Sequence, residues 1–362
     1  MKILQLINNL NGGGAEKLVY DLVKLLNNKT QIEVALLNNK GDRYSKKLID
    51  QGINVTILGK KKYSVKTILS LIRLIRKNNF DVVHVHLFPS LYYGALLSIF
   101  FNCRFIFTEH STSNKRRNLF LFRLLDAIAY GQYNSITCIS QATKSNLIKF
   151  LYWVDESKIK IISNGIFLPS NAIPIVLNKT KKTIKLIMIG RFEYPKDQET
   201  IIKALKHLPS RIEIFFAGSG IREKDCKKLS ITEGLDQRIH FLGFVEDVNS
   251  LLIKMDIAVL SSHYEGFGLA AVESMALGIP TIVSNVPGLV NVVGKGGIVF
   301  EPGNEIDLAN KIKQLINSQS LYNHISIEGI NQAKQYDINT IVENYLNLYK
   351  LPKSEEKIDS FR

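Results

Sequence analysis

The chain is short of several things, and each shortage removes a class of protein. It holds three cysteines, Cys103, Cys138 and Cys226, in 362 residues. They are widely spaced and odd in number, so they make neither a disulfide framework nor a metal-ligand pattern, and a reducing compartment is expected. Long apolar runs are scarce. The longest, Leu87 to Phe101, contains Pro89, Ser90 and Gly94 and falls short of the about 20 residues that span a bilayer; it reads as a buried helix. The opening stretch MKILQLINNLNGGG has too short an apolar part for a signal peptide and no cleavage site, so a cytoplasmic location is expected. Neither a Gly-x-Ser-x-Gly elbow nor a Gly-Lys-Ser/Thr phosphate loop occurs, which argues against a serine hydrolase and a P-loop nucleotidase.

What is present fits a globular protein with a real core. Hydrophobic residues make up 46% of the chain, and its length predicts two domains. The net charge of +15 is lopsided: residues 1–170 carry 24 Lys+Arg against 10 Asp+Glu, and residues 171–362 carry 23 against 22. Such asymmetry predicts that the first half meets an anionic partner, a membrane surface or nucleic acid, or else presents a solvated basic face. Nucleic acid fits less well, because aromatic residues are not interleaved with the basic ones beyond Tyr63 and Phe120. A membrane fits two stretches. Lys60-Lys61-Lys62 precedes VKTILSLIRLIRK (65–77), where Ile68, Leu71, Ile72 and Ile75 alternate with cations, and Lys115-Arg116-Arg117 leads into Leu119, Phe120, Leu121 and Phe122. Cations beside apolar residues suit an interfacial segment.

Strand and helix patterns alternate along the chain. Short apolar runs at 2–7, 31–36, 55–57, 81–86, 104–108, 136–139 and 160–162 are separated by helical patterns, notably 15–26, 65–77, 90–101 and 141–150. A second series starts at Ile184, with strands at 185–190, 213–217, 239–241, 258–260, 281–283 and 297–300. The patternless stretch Phe167–Thr183 reads as a linker. The fold class is therefore α/β, with two doubly wound parallel sheets, over 1–168 and 184–335. Ligands of such sheets bind outside the carboxyl ends of the strands, here in an expected cleft between the domains.

The most informative stretch is DIAVLSSHYEGFGLAAVESMALGIPTIVSNVPG (256–288). A buried strand runs into a turn bearing Glu265, Gly266, Phe267 and Gly268, then into a helix closed by Gly278 and Pro280. A glycine-rich loop entering a helix offers free N–H groups and the positive end of the helix dipole to a phosphate. A carboxylate beside it accepts hydrogen bonds from sugar or ribose hydroxyls. The plainer alternative is that Glu265 caps the helix and Glu273 lies on its solvent face.

The pattern EGFGLAAVE, two glutamates separated by seven residues, resembles the signature of the family 4 retaining glycosyltransferases, which have the GT-B fold. That resemblance implies an active site without metal or cofactor, and no Asp-x-Asp occurs in this chain. It implies a nucleotide-diphosphate sugar donor, a UDP-sugar rather than a GDP-sugar, and a final helix (338–351) that crosses back onto the first domain. By the same resemblance, Arg191 and Lys196 hold the leaving diphosphate, Glu265 holds the donor sugar and Glu273 the ribose. Gly266, Phe267, Gly268 and Leu269 supply the helix N-terminus. Gly13 and Gly14 let the backbone approach donor and acceptor, with Glu16 and Asn164 toward the acceptor. Asn164-Gly165 reads as a turn first and a cleft residue second. His110 orients the transferred sugar, whereas His84 and His86 are structural, and the strand end Phe241–Phe244, Phe244 above all, meets the base.

The expected activity is retaining transfer of a hexose-type sugar to a hydroxyl, with a lipid-linked capsule, O-antigen or exopolysaccharide intermediate as acceptor, at the inner face of the cell membrane. A nucleotide-sugar epimerase on the same fold and a non-catalytic glycan-binding partner subunit are the alternatives.

Overall fold

The computed structural model describes the chain outside residues 39–42, 60–63, 113–118, 152, 177–181 and 352–362. The basic clusters at 60–62 and 115–117 therefore lie outside the described residues. The chain divides into two units, Met1–Gly165 joined by the stretch from Ile338 onward, and Ile166–Asp337.

In chain order the first unit runs β1 (Lys2–Ile7), α1 (Gly14–Leu26), β2 (Gln31–Leu36), α2 (Tyr44–Asp50), β3 (Asn54–Ile57), α3 (Val65–Asn78), β4 (Val82–His86), α4 (Ser90–Ser98), β5 (Arg104–Glu109), α5 (Phe120–Gly131), β6 (Ser135–Cys138), α6 (Gln141–Phe150) and β7 (Ile159–Ile161). The second runs β8 (Ile184–Ile189), α7 (Gln198–Ala204), β9 (Ile212–Ala217), α8 (Glu223–Thr232), β10 (Ile239–Gly243), α9 (Val248–Leu252), β11 (Ile257–Leu260), α10 (Leu269–Ala276), β12 (Thr281–Ser284), α11 (Pro287–Val293), β13 (Gly297–Phe300), α12 (Glu305–Asn317) and α13 (Gln319–Ala333). Helix α14 (Ile338–Lys350) returns the chain to the first unit.

Both sheets are wholly parallel. The first is ordered β3-β2-β1-β4-β5-β6-β7 and the second β10-β9-β8-β11-β12-β13. In each, the strand order reverses beside the first strand, between β1 and β4 and between β8 and β11, which is where a doubly wound sheet opens a crevice at its carboxyl edge. Apolar runs make these strands because parallel strands are covered on both faces. Helix α1 shows the complementary logic: Leu18, Val19, Leu22, Val23 and Leu26 form one stripe, buried on the sheet, each worth about 1.5–3 kcal/mol on removal from water. Helix α14 buries Ile341, Val342, Tyr345 and Tyr349 in that same cluster.

Two expectations need correction. The run 87–101 is not a uniformly buried helix. It ends as a helix at Ser98, and Ile99 and Phe100 are 62% and 69% exposed beyond it. In α3, Leu71 and Ile75 pack into the core under the sheet, so they are unavailable to a membrane; the exposed apolar side chains of that helix are Val65 and Leu69. A large exposed apolar face lies instead on α5, where Phe120, Leu121, Leu124, Leu125 and Ile128 all face solvent, Phe120 being 79% exposed. Among the described residues no helix is long and apolar enough to cross a membrane.

Candidate functional site

In the second unit, β11 leads through a loop into α10, whose N-cap Gly268 has φ +81. A β-carbon at Gly268 would also lie 2.4 Å from the Leu289 side chain, so conformation and packing both demand glycine. A second glycine holds the loop from outside. A β-carbon at Gly288, in the first turn of α11, would fall 1.9 Å from the Glu265 carbonyl oxygen. The loop backbone therefore rests directly on the start of α11.

Glu265 engages Lys196 and the loop backbone. One carboxylate oxygen forms an ion pair with Lys196 Nζ, and the other accepts from the Gly266 N–H at 3.3 Å. Lys196 closes a short turn between β8 and α7, with its stem laid over Gly190 at about 3.5 Å from where a β-carbon would stand. That turn is pinned from the strand beside it. Ser261 Oγ donates to the carbonyls of Lys196 (3.0 Å) and Asp197 (2.7 Å). Asp197, left-handed at φ 53, caps α7 by accepting from the Thr200 N–H at 3.4 Å and also accepts from the Thr200 hydroxyl at 2.5 Å, and burial raises its carboxyl above the usual range. Arg191 reaches outward, 3.2 Å from Glu193. Lys196 and Glu265, 69 residues apart in sequence, are thus brought into direct contact, while Arg191 lies exposed at the same strand end.

The remaining second-unit candidates divide. Glu273 lies partly exposed in the second turn of α10. Phe244 follows the left-handed Gly243 (φ +66) at the end of β10 and is half exposed. Phe267 departs from expectation as a side chain: it is buried and meets Tyr336 edge-on at 5.1 Å, so its backbone alone is left to a ligand. An aromatic ring inside a glycine loop packs down when the core beneath it has room, and sequence gives no sign of that.

In the first unit, Gly13 is the N-cap of α1, with Gly14 its first residue. A β-carbon at Gly13 would meet Glu16 Oε2 at 2.4 Å. The Glu16 carboxylate thus lies over the glycine loop, where its charge complements the helix N-terminus. His110 follows β5. Its Nε2 is 3.1 Å from His86 Nδ1, and its Nδ1 is buried with no hydrogen-bond partner. Burial lowers its pKa to about 4, against the opposing pull of Glu109, so the ring is neutral at pH 7. Asn164-Gly165 is not a turn. Asn164 is buried, and a β-carbon on Gly165 would lie 2.8 Å from Ile338 Cα. The glycine is required where the start of α14 passes close by, and the Asn164 side chain leaves its Oδ1 buried without a partner.

Sequence reasoning missed Gly288 and Ser261. The first is visible only as the closing glycine of the 256–288 stretch, and the second gave no signal.

Residues 170–332 match the family model described as glycosyl transferases group 1, and residues 12–168 match that of glycosyltransferase family 4. A capsular polysaccharide biosynthesis glycosyltransferase, CapH of Staphylococcus aureus, is 28% identical over 96% of this chain and 98% of its own. The N,N'-diacetylbacillosaminyl-diphospho-undecaprenol alpha-1,3-N-acetylgalactosaminyltransferase of Campylobacter jejuni is 29% identical over 70% of this chain and 61% of its own. Among solved structures, Anabaena HepE in complex with UDP-glucose superposes with a TM-score of 0.84 at 21% identity, covering 97% of this chain and all (100%) of that one.

Proposed function

Since the chain belongs to the family 4, group 1 glycosyltransferases of the GT-B fold, we propose that it is a retaining hexosyltransferase that builds a lipid-linked surface glycan. Its donor is a nucleotide-diphosphate sugar, with UDP as the carrier. The observation that carries this reading is the Lys196–Glu265 ion pair at the glycine-rich start of α10. A cation, a helix N-terminus and a carboxylate are what a leaving diphosphate and a neighbouring sugar need. As the bond to the anomeric carbon breaks, negative charge grows on the diphosphate. Lys196, Arg191 and the N–H groups at Gly266–Leu269 stabilise it without a metal ion. Glu265 accepts from the sugar hydroxyls and Glu273 from the ribose. In the first unit, Gly13 and Gly14 let the backbone approach donor and acceptor, Glu16 and Asn164 border the acceptor, and His110 orients the sugar. The acceptor hydroxyl enters on the face the diphosphate leaves, so the anomeric configuration is kept.

Supporting the lipid-linked acceptor are the diphospho-undecaprenol substrate in the name of the Campylobacter relative and the capsular role in the name of CapH. The UDP-glucose complex of HepE supports the carrier. Supporting peripheral attachment to the inner membrane face are the exposed apolar side of α5 and the strongly basic composition of the first half-chain. Exposed Lys66, Arg73, Arg76 and Lys77 on α3 lie in the same unit, and each such cation near an anionic leaflet contributes about 1 kcal/mol. The test is a panel of UDP- and GDP-sugars with a diphospho-lipid acceptor, read by proton NMR of the new linkage. An α-linked donor giving an α-linked product, undiminished by EDTA, is expected. A β-linked product, or turnover abolished by EDTA and restored by a divalent cation, overturns the reading.

A further inference from the structure

A row of polar side chains crosses the face of the first sheet that α14 covers. Gln5 of β1, His84 and His86 of β4, Thr108 of β5 and Thr137 of β6 are all 0% exposed. Strand register places Gln5 beside His84, His86 beside Thr108, and Thr108 beside Thr137. From α14 comes Tyr349. These groups form one hydrogen-bonded chain. Thr137 Oγ1 is 2.5 Å from Thr108 Oγ1, which is 2.6 Å from His84 Nε2. His84 Nδ1 is 2.7 Å from Tyr349 Oη, and Tyr349 Oη is 3.2 Å from Gln5 Nε2. Gln5 Oε1 is 2.8 Å from His86 Nε2, and His86 Nδ1 is 3.1 Å from His110 Nε2. The chain then stops, because His110 Nδ1 is buried without a partner.

Such a chain has a direction. Burial holds all three rings neutral, lowering His84 to about 3, His110 to about 4 and His86 well below its ordinary value. A neutral imidazole carries one N–H, so a ring that donates from one nitrogen accepts at the other. The far end sets the sense. Thr137 Oγ1 also lies 3.4 Å from the Phe107 carbonyl, which can only accept. With Thr137 donating there, Thr108 donates to Thr137, His84 Nε2–H to Thr108, and Tyr349 O–H to His84 Nδ1. Tyr349 oxygen then accepts from the Gln5 amide, whose carbonyl accepts from His86 Nε2–H. His86 Nδ1 is left as an acceptor for His110 Nε2–H.

We propose that Gln5 and Tyr349 act through His86 as positioning residues, fixing the His110 proton on Nε2 so that bare Nδ1 accepts a hydrogen bond from a hydroxyl of the transferred sugar. The ligand half of this rests on the hexosyltransferase reading above; the proton half does not. A bare Nδ1 also selects. It receives an O–H, and its lone pair repels a group that only accepts, such as a carboxylate or phosphate. The reversed chain would put protons on Nδ1 and present His110 as a donor instead.

The test is long-range proton–nitrogen NMR of the ligand-free full chain labelled with ¹⁵N-histidine. Its seven histidines make the spectrum tractable, and His110→Ala assigns the ring. The expected spectrum shows His84, His86 and His110 each protonated on Nε2 and bare on Nδ1. Tyr349→Phe, which breaks the link between Gln5 and His84, should give His110 a mixed pattern and lower kcat/KM for the donor found by the panel about tenfold, the worth of one hydrogen bond. A purely structural tyrosine would leave the nitrogen pattern unmoved. Protonated Nδ1 in the wild-type spectrum overturns the proposal whether or not Tyr349→Phe folds, as does an unchanged His110 pattern in a folded Tyr349→Phe. If the predicted pattern appears but no sugar donor is turned over, the proton assignment stands and the hexosyltransferase reading fails.

Discussion

The two units answer one design question in opposite ways. In the second unit the chemistry-bearing groups are ions held on loops: Lys196, Glu265 and Arg191 stand at strand ends, partly in water. In the first, Glu16 at the start of α1 apart, they are neutral groups on a sheet face, and Gln5, His84 and His86 are sealed beneath α14. Charge suits a ligand whose own charge grows during reaction, and partial exposure avoids the several kcal/mol per ion that full burial would cost. Neutral buried donors and acceptors suit hydroxyls, where direction matters more than field. On the proposed reading, the contrast matches a diphosphate held by the second unit and a sugar oriented by the first.

The sharpest way to break that contrast is Lys196→Met. Turnover should fall about 10²- to 10³-fold, as when one preorganised stabiliser of transition-state charge is lost. The fold should hardly notice, because a partly exposed ion pair is worth about 1 kcal/mol or less. A large loss of thermal stability with unchanged kcat in the folded fraction would make Lys196 structural. Glu273→Ala should act next most strongly, weakening donor binding by roughly 1.5–3 kcal/mol as the ribose loses a charged acceptor. Calorimetry that finds the donor affinity unchanged removes Glu273 from the site.

The first unit should show itself in acid. His110 is held at about 4 against an ordinary 6.5, and His84 at about 3. The unfolded chain therefore takes up these protons near pH 6.5 while the folded chain refuses them. Their stabilisation is full above 6.5 and is lost as pH falls toward the folded values, at about 1.4 kcal/mol per pH unit for each ring. Urea unfolding followed across that window checks the sign, and a flat or rising stability on acidification contradicts it.

Much of this was legible without coordinates, for identifiable reasons. The 256–288 stretch combines an apolar strand, a glycine turn, a helix and a Gly-Ile-Pro stop, so local signals agree at every step. What stayed hidden depends on register or on close approach. Nothing local says that Gln5, inside an apolar strand, lies beside His84, or that His86 touches His110. Gly165 reads as a turn, and its need for glycine comes from Ile338, far away in sequence. Phe267 looks available in a loop and is taken up by Tyr336. Residues 305–333 fold into α12 and α13, which had no part in the sequence reading because they carry no motif.

One measurement tests the division of labour directly: calorimetric titration of UDP, which carries the diphosphate but no sugar, into the full chain and into its Lys196→Met and His110→Ala variants. The wild type should bind UDP, Lys196→Met should bind it at least about tenfold more weakly, and His110→Ala should match the wild type. Equal losses in both variants, or a loss confined to His110→Ala, would contradict the assignment of charge to the second unit and orientation to the first.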